Sequence, residues 1–198
     1  IFHLATAISI IGNLTDDPQG VEKGVRLFNQ VLHEDPLYAS ARLQYALSLQ
    51  HLGEMVADVE ILRESIVQYE IVINQDPEDD LAWNGLGVGL ISLSEMLDDP
   101  MHHDESAELK RKAELNLLHA GSLGCDDAYY NLACLFSLSD NLEESLYFLE
   151  KAKLKDALPS VDEIMNDEWL ANIRSTGQFR DLITSYIHQD GEEDFLKS

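Results

Sequence analysis

The stretch Trp83-Asn84-Gly85-Leu86-Gly87 decides the fold, because its pattern returns at intervals along the 198-residue chain. A large apolar residue is followed three positions later by a second apolar residue, and a small residue comes directly after it. Successive small residues lie 34, 41 and 46 positions apart. Repeats of this length are supersecondary units that bury their apolar faces only by stacking on one another. The other copies, the last of them weaker, are Ile8/Ile11/Gly12, Tyr129/Leu132/Ala133 and Tyr45/Ala46.

A second pattern follows each first one. A small residue, a bulky apolar residue and a third core residue stand at spacings of four and three, and a turn with Pro or a substitute comes next. These spacings place the residues on one face of a helix. In the last unit the turn signal Ser139-Asp140-Asn141 separates the two patterns. Each unit is therefore predicted to be two antiparallel helices. The second patterns are Gly24/Phe28/Val31/Pro36, Ser65/Tyr69/Val72/Pro77, Ala113/Leu117/Ala120 and Ser145/Leu149/Ala152/Ala157.

The predicted architecture is an all-α array of antiparallel helix pairs with a C-terminal capping element. Four pairs are expected over residues 5–38, 39–79, 80–125 and 126–159. Residues 160–188 are predicted to form helices, broken near Thr176-Gly177, that cover the last apolar face of the array. Residues 189–198 are expected to be a frayed acidic tail. The polar run 97–106 is expected to be a loop or a short capped turn at one edge.

Acidic pairs stand where helices are predicted to begin. Aspartate at a helix start accepts hydrogen bonds from free backbone amides and favours the helix dipole. Paired carboxylates could also bind a metal or a basic ligand, but capping explains all the pairs without a ligand. Two of the pairs are followed by a proline, which is well tolerated at a first helical position. The pairs are Asp16-Asp17, Asp79-Asp80, Asp98-Asp99 and Asp126-Asp127.

Composition excludes several classes of function. A net charge of −24 argues against nucleic acid, which requires a basic surface, and against anionic membranes. It favours a partner with basic residues, although the charge could also serve only to keep the chain soluble. No apolar run is long enough for a membrane span. Two cysteines without a CxxC pattern predict reduced thiols in a cytoplasmic protein. Because the sequence opens at Ile1, we expect a fragment of a longer protein.

These patterns resemble the tetratricopeptide repeat (TPR) family. Trp83-Asn84-Gly85-Leu86-Gly87 and Tyr129-Tyr130-Asn131-Leu132-Ala133 are similar to the core of the family's first helix. Residues 24–36, which end in Asp35-Pro36, resemble its second helix and closing turn, and residues 173–182 are similar to a common ending of such arrays. The sequence departs from the pattern at Arg42, which stands where the second unit should carry its large anchor residue.

The resemblance implies a right-handed superhelix with a concave groove lined mainly by first helices. It implies no catalysis and no cofactor, and a fold alone never implies catalysis. We therefore expect a non-catalytic protein-interaction module that binds a peptide or helix in the groove. Two alternatives stay open. One is a secretion-type chaperone that holds apolar segments of client proteins, and the other is a docking domain of a larger enzyme.

Helical phase predicts which side chains line the groove. They project from first helices away from the packing stripe and are both polar and apolar. The alternative, that the aliphatic members belong to the core, stays open. Asn131 could hold a partner backbone through its amide. The predicted groove residues are Asn13, Leu43, Leu47, Asn84, Val88, Ile91, Tyr130, Asn131 and Cys134, with Ser9 and Gln50 beside them.

The basic residues are placed unevenly. Of 13 Lys and Arg residues, Arg42 alone falls on a predicted first helix. Some TPR domains grip a partner's C-terminal carboxylate with groove lysines, and this chain resembles that subgroup poorly. The expected partner is a protein segment with apolar anchors and some Lys or Arg.

Two other kinds of site are considered and set aside. His102-His103-Asp104-Glu105 contains metal-ligand types, but adjacent histidines in a polar loop seldom converge on one ion, so we expect no metal. Cys134 has no visible base or helix-start setting and is expected to be an inert buried thiol. No motif for nucleophilic or phosphate chemistry is present, so no catalytic residue is predicted.

Overall fold

The computed structural model describes residues 1–98 and 101–190, with side chains described as far as Ile187. The described residues are predominantly α-helical and contain no β-strand. The chain divides into two compact units, Ile1–His119 and Ala120–Ser198. These findings confirm the predicted all-α class of antiparallel helix pairs.

The first unit contains six helices, the last of which continues into the second unit. They are α1 (Phe2–Leu14), α2 (Pro18–Glu34), α3 (Ala39–Val56), α4 (Val59–Gln75), α5 (Asp80–Met96) and α6 (His103–Leu123). Helices α1 and α2 pack together, as do α3 and α4. Neighbouring pairs stack, because α2 also contacts α3 and α4 also contacts α5.

The second unit contains one full helix pair and a set of shorter elements. The pair is α7 (Asp127–Leu138) and α8 (Leu142–Leu154). The shorter elements are α9 (Val161–Asn166), a 3-10 turn (Glu168–Leu170), α10 (Ala171–Arg174) and α11 (Gly177–Asp190). The 3-10 turn and α10 contact α7, and α11 contacts α8. The short elements thus pack on both helices of the last pair.

Aspartates cap two of the helices that begin after an acidic pair. Asp17 accepts a hydrogen bond from the backbone N–H of Gln19 at the start of α2, where Pro18 is the first helical residue. Asp79 caps α5 in the same way, accepting from the N–H of Ala82. Asp126 precedes α7 without a side-chain hydrogen bond of this kind. The fourth predicted cap, at Asp99 and Pro100, lies outside the described residues.

Small residues allow the two helices of a pair to come close together. A Cβ atom on Gly12 would lie 2.6 Å from the backbone nitrogen of Val21, and one on Gly87 would lie 2.6 Å from Cγ of Leu117. In the last pair the small residue of the second helix makes the close contact, since Ser145 Oγ of α8 donates a 2.7 Å hydrogen bond to the carbonyl oxygen of Ala133 in α7. At Gly12 and Gly87 the small residue of the first helix is therefore a packing requirement.

Arg42 takes over part of the role of the missing anchor in the second pair. In the third pair the indole N–H of Trp83 donates a 2.8 Å hydrogen bond to the carbonyl oxygen of Pro77, six residues earlier. Arg42 Nη2 donates a 2.7 Å hydrogen bond to the carbonyl oxygen of Pro36, also six residues earlier. Both side chains tie a first helix to the Asp-Pro turn before it. The departure at Arg42 therefore preserves the local contact.

The region 97–106 differs in part from the prediction of a loop. Helix α6 begins at His103, so residues 103–106 are helical. Asp104 and Glu105 lie in its first turn, where carboxylates interact favourably with the helix dipole. Ser106 is buried and donates a 3.0 Å hydrogen bond to the carbonyl oxygen of Ser94. The polar run thus fits a helix start as well as it fits a loop.

Within residues 1–98 and 101–190, no helix combines the length and the apolar character that crossing a bilayer would require. The tail expected at 189–198 lies almost entirely outside the described residues, and its predicted fraying is not addressed by the structure.

Candidate partner-binding face

One stripe of α3 carries apolar side chains that are not fully covered. Leu43 and Leu47 are half-buried, and the same stripe continues through buried Gln50 to exposed Glu54. The spacings of four, three and four keep these four residues on one side of the helix. Two aliphatic side chains and a carboxylate are therefore presented on the same side of α3.

Helix α5 contributes a matching stripe within the same unit. Asn84 and Val88 are half-buried, one turn apart, and Ser92 follows one turn later. Ser92 Oγ donates a 2.6 Å hydrogen bond to Glu54 Oε1, which links the two stripes directly. We call Leu43, Leu47, Glu54, Asn84 and Val88 the first-helix face.

The carboxylate of Glu54 is held by more than one donor. Besides Ser92, the amide of Gln50 donates a 3.1 Å hydrogen bond to the same oxygen, Oε1. Gln50 is itself fixed, because the Tyr69 hydroxyl donates a 3.1 Å hydrogen bond to Gln50 Oε1. A charged acceptor with such partners loses little side-chain entropy when it meets a cation.

Two titratable side chains close to Glu54, those of Tyr69 and His51, are neutral near pH 7. Burial, reinforced by the negative charge of Glu54, raises the pKa of Tyr69 far above its usual value. Burial lowers the pKa of His51, although the Glu54 carboxylate opposes this shift. Tyr69 and His51 therefore add no charge beside the Glu54 carboxylate.

Four of the residues predicted to line the groove are buried in the structure. Ser9, Gln50 and Ile91 are covered in the first unit and Cys134 in the second. Ile91 is completely buried, and one residue further along α5 the hydroxyl of Ser92 bonds Glu54 of α3. Asn13 on α1 is half-buried.

In the second unit the C-terminal elements cover part of the predicted site. The Tyr130 hydroxyl donates a 2.7 Å hydrogen bond to Asp167 Oδ2, and Cys134 Sγ lies 3.6 Å from the same oxygen. Burial and the nearby Asp167 raise the pKa of the Cys134 thiol well above its usual range. The thiol is therefore protonated at neutral pH and a poor nucleophile. Tyr130 and Asn131 are half-buried and line a depression of about 240 Å³.

Sequence patterns did not identify Glu54 or Asp167 as site residues. Glu54 could have been found by continuing the stripe from Leu43 and Leu47 through two more turns. Asp167 lies 37 residues from Tyr130, and only tertiary packing brings the two together.

Arg42 is engaged within the protein. Besides the bond to Pro36, its Nη1 donates a hydrogen bond to Gln68 Oε1 on α4. A guanidinium fixed on both sides is poorly placed to grip a partner's carboxylate. With Arg42 engaged in this way, the first-helix face is better suited to binding a cationic group than an anionic one.

A separate cleft lies on the other side of α5, toward the second helices of the first unit. It has a volume of about 670 Å³, and Leu86, Leu90 and Leu93 of α5 are part of its lining. Val67 of α4 and Lys112 of α6 stand on opposite walls. The cleft is distinct from the first-helix face, and a binding experiment can distinguish the two.

Among the described residues, no group of three or more His, Cys, Asp or Glu side chains is arranged to hold a metal ion. Both cysteines, Cys125 and Cys134, are buried.

Comparison with known proteins bears on the fold. Neither a protein-family model nor a curated protein matches the sequence. Among solved structures, the chain is similar to TTC0263, described as a thermophilic TPR protein of Thermus thermophilus, with a TM-score of 0.71 and 15% identity. The match covers 98% of this chain and 92% of that chain.

Two crystal structures of MamA are also similar. The TM-score is 0.55 for both, with identities of 18% and 16%. The matches cover 93% and 98% of this chain, and 93% and 95% of the MamA chains. At these identities the likeness shows the fold alone. The chain is therefore a TPR-like helical repeat protein, as the sequence resemblance predicts.

Proposed function

We propose that this chain is a non-catalytic protein-interaction module. Its first-helix face takes an extended or helical segment of a partner protein that carries apolar anchors and at least one Lys or Arg. The observation that carries the proposal is the juxtaposition of half-buried aliphatic side chains with a carboxylate held in place. Leu43, Leu47 and Val88 offer apolar contact area, and Glu54 lies beside them with two hydrogen-bond donors on one oxygen.

Charge supports the choice of partner. A chain of net charge −24 attracts basic segments over distances of about 8 Å at physiological salt. Apolar anchors then supply most of the binding free energy, because desolvated aliphatic and aromatic contacts dominate such interfaces. Charge therefore governs the association rate and the specificity, while Leu47 and Val88 govern the lifetime of the complex.

Selection from a random phage-displayed peptide library tests the proposal. We expect the enriched peptides to combine apolar residues at helical or extended spacing with Lys or Arg. Val88→Asp should weaken the binding of a selected peptide at least tenfold. Glu54→Gln should weaken it less and should reduce its salt dependence, because one attracting charge is lost. Circular dichroism confirms that each variant is folded.

Val67→Asp is the matched control. Val67 is a partly exposed valine on α4 that lines the cleft rather than the first-helix face. Its substitution should leave peptide affinity unchanged. If Val67→Asp abolished binding while Val88→Asp and Glu54→Gln had no effect, the proposed site would be wrong. Enrichment of acidic peptides would contradict the proposed partner.

A further inference from the structure

Helix α1 has an unusual surface for so acidic a chain. Its residues, Phe2–Leu14, include no Asp, Glu, Lys or Arg. One side packs on α2 through the small residues Ala5, Ser9 and Gly12. A second side carries Leu4, Ile8 and Ile11 at spacings of four and three, which is a single stripe of the helix. Leu4 is 57% exposed and Ile11 is 61% exposed.

The same position is covered in the other helix pairs. Ile11 directly precedes the small residue of its first helix, as Tyr45, Leu86 and Leu132 do in the later pairs. Leu86 is 6% exposed and Leu132 is completely buried. Tyr45 is partly buried against Val31 and Leu32 of α2. Ile11 is thus a core position of the repeat that has no cover among the described residues.

The structure also shows what kind of element covers this position. Tyr45 contacts α2, which is the second helix of the pair before it. Leu86 lines a cleft together with Ile66 and Ile73 of α4, again the second helix of the preceding pair. The element that fits against Ile8 and Ile11 is therefore a second helix, which meets α1 as α2 meets α3.

We propose that the outer face of the α1/α2 pair, formed by Leu4, Ile8 and Ile11, is a docking surface for the second helix of a further TPR-like helix pair that continues the stack. The docking helix carries aliphatic side chains in the positions that Val31 and Leu32 have in α2. The depression beside Ile8 and Ile11 is also lined by Asp17, Lys23 and Arg26, and Arg26 already forms a 2.6 Å ion pair with Glu22, so its charges are balanced within the chain. This inference is independent of the first-helix face.

A second copy of the chain does not offer such a helix. The corresponding apolar residues of α2, Val31 and Leu32, already pack against α3. The last second-helix element, α11, presents polar side chains to solvent, including Gln178, Arg180 and Asp181. A head-to-tail contact would therefore place polar groups against Ile11, which is unfavourable.

The test is a chain with one added helix pair. Residues 2–37 are duplicated ahead of Ile1, so that a copy of α2 leads into α1 as α2 leads into α3. Amide hydrogen exchange of α1 is compared between the original and the extended chain. We expect exchange in the Ile8–Gly12 segment to slow at least tenfold in the extended chain, because the added second helix covers the stripe.

Two substitutions serve as a matched pair. Ile11→Gln should remove the gain in protection from the extended chain, while having little effect on the original chain, where Ile11 is exposed. Ile10→Gln changes an exposed isoleucine on another side of α1 and should leave the gain intact. Amide exchange that is no slower in the extended chain, or that responds equally to both substitutions, would overturn the proposal.

Light scattering provides a second measurement. A dimer of the original chain that Ile11→Gln dissociates would show that a second copy covers the stripe and would equally overturn it.

Discussion

Replacing Gly12 by alanine tests whether the helices of the first pair approach as closely as described. The new Cβ would lie 2.6 Å from the backbone nitrogen of Val21 and 3.0 Å from the carbonyl carbon of Gly20. Neither atom can rotate away, as the end of a side chain could. Helices α1 and α2 must therefore separate by close to 1 Å to restore ordinary contact distances, and a gap of that size loses about a quarter to a half of the local dispersion energy.

The magnitude follows from two opposing effects. Overpacking of this kind costs about 1–3 kcal/mol. Alanine gains about 0.5–1 kcal/mol over glycine in a helix, and this part is smaller near a helix end such as that of α1. We expect the free energy of unfolding to fall by about 1–2 kcal/mol, which corresponds to a melting temperature lower by about 2–8 °C for a chain of this size.

Gly89→Ala is the control within a neighbouring pair. Gly89 is also helical and buried, but its nearest non-local neighbour would be 3.6 Å from the new Cβ, which is ordinary contact. This variant should be more stable than the parent by about 0.5–1 kcal/mol. Urea unfolding followed by circular dichroism measures both. If Gly12→Ala were as stable as Gly89→Ala, the close α1/α2 packing would be refuted.

Three further predictions address the interior of the protein. Burial raises the pKa of Tyr69, so the folded state holds the Tyr69 hydroxyl proton more tightly than the unfolded state does. The free energy of unfolding should therefore decline above about pH 10, where the unfolded tyrosine ionises. Tyr69→Phe should reduce that decline in urea titrations at alkaline pH. In a Cys125→Ser background the buried Cys134 should react with a disulfide reagent only after urea unfolding, and prompt reaction of the native protein would show that the thiol is accessible. Isothermal titration with zinc should give no binding heat, whereas saturable heat that His102→Ala or His103→Ala removes would reveal a site that the structure does not.

The helix-pair architecture could be predicted from sequence because it depends on local pattern. The spacing of Trp83, Leu86 and Gly87 fixes a helix face, and the small residue fixes where a partner helix approaches. Arg42 could not be interpreted in this way, since its role depends on a hydrogen bond to Pro36 that any long donor side chain could make. Pattern thus predicts which faces are packed better than it predicts which atoms make contact.

The candidate site was harder to predict than the fold. Helical phase placed Val88 and Ile91 on the same stripe of α5, but Val88 is half-buried in the structure and Ile91 is completely buried. Likewise, Cys134 is covered by Asp167 from a distant segment. Helical phase determines the direction of a side chain, whereas burial depends on how near the next helix lies. That distance is a tertiary property.

The most direct test is to observe methyl groups of the protein by NMR while a selected apolar and basic peptide is added. We expect the resonances of Leu43, Leu47 and Val88 to shift together and to saturate with the peptide, and the shifts to weaken in Glu54→Gln. The methyl groups of Val67 and Leu90, which line the cleft, should stay unchanged. Shifts confined to Val67 and Leu90 would instead place the partner in the cleft and would contradict binding at the first-helix face.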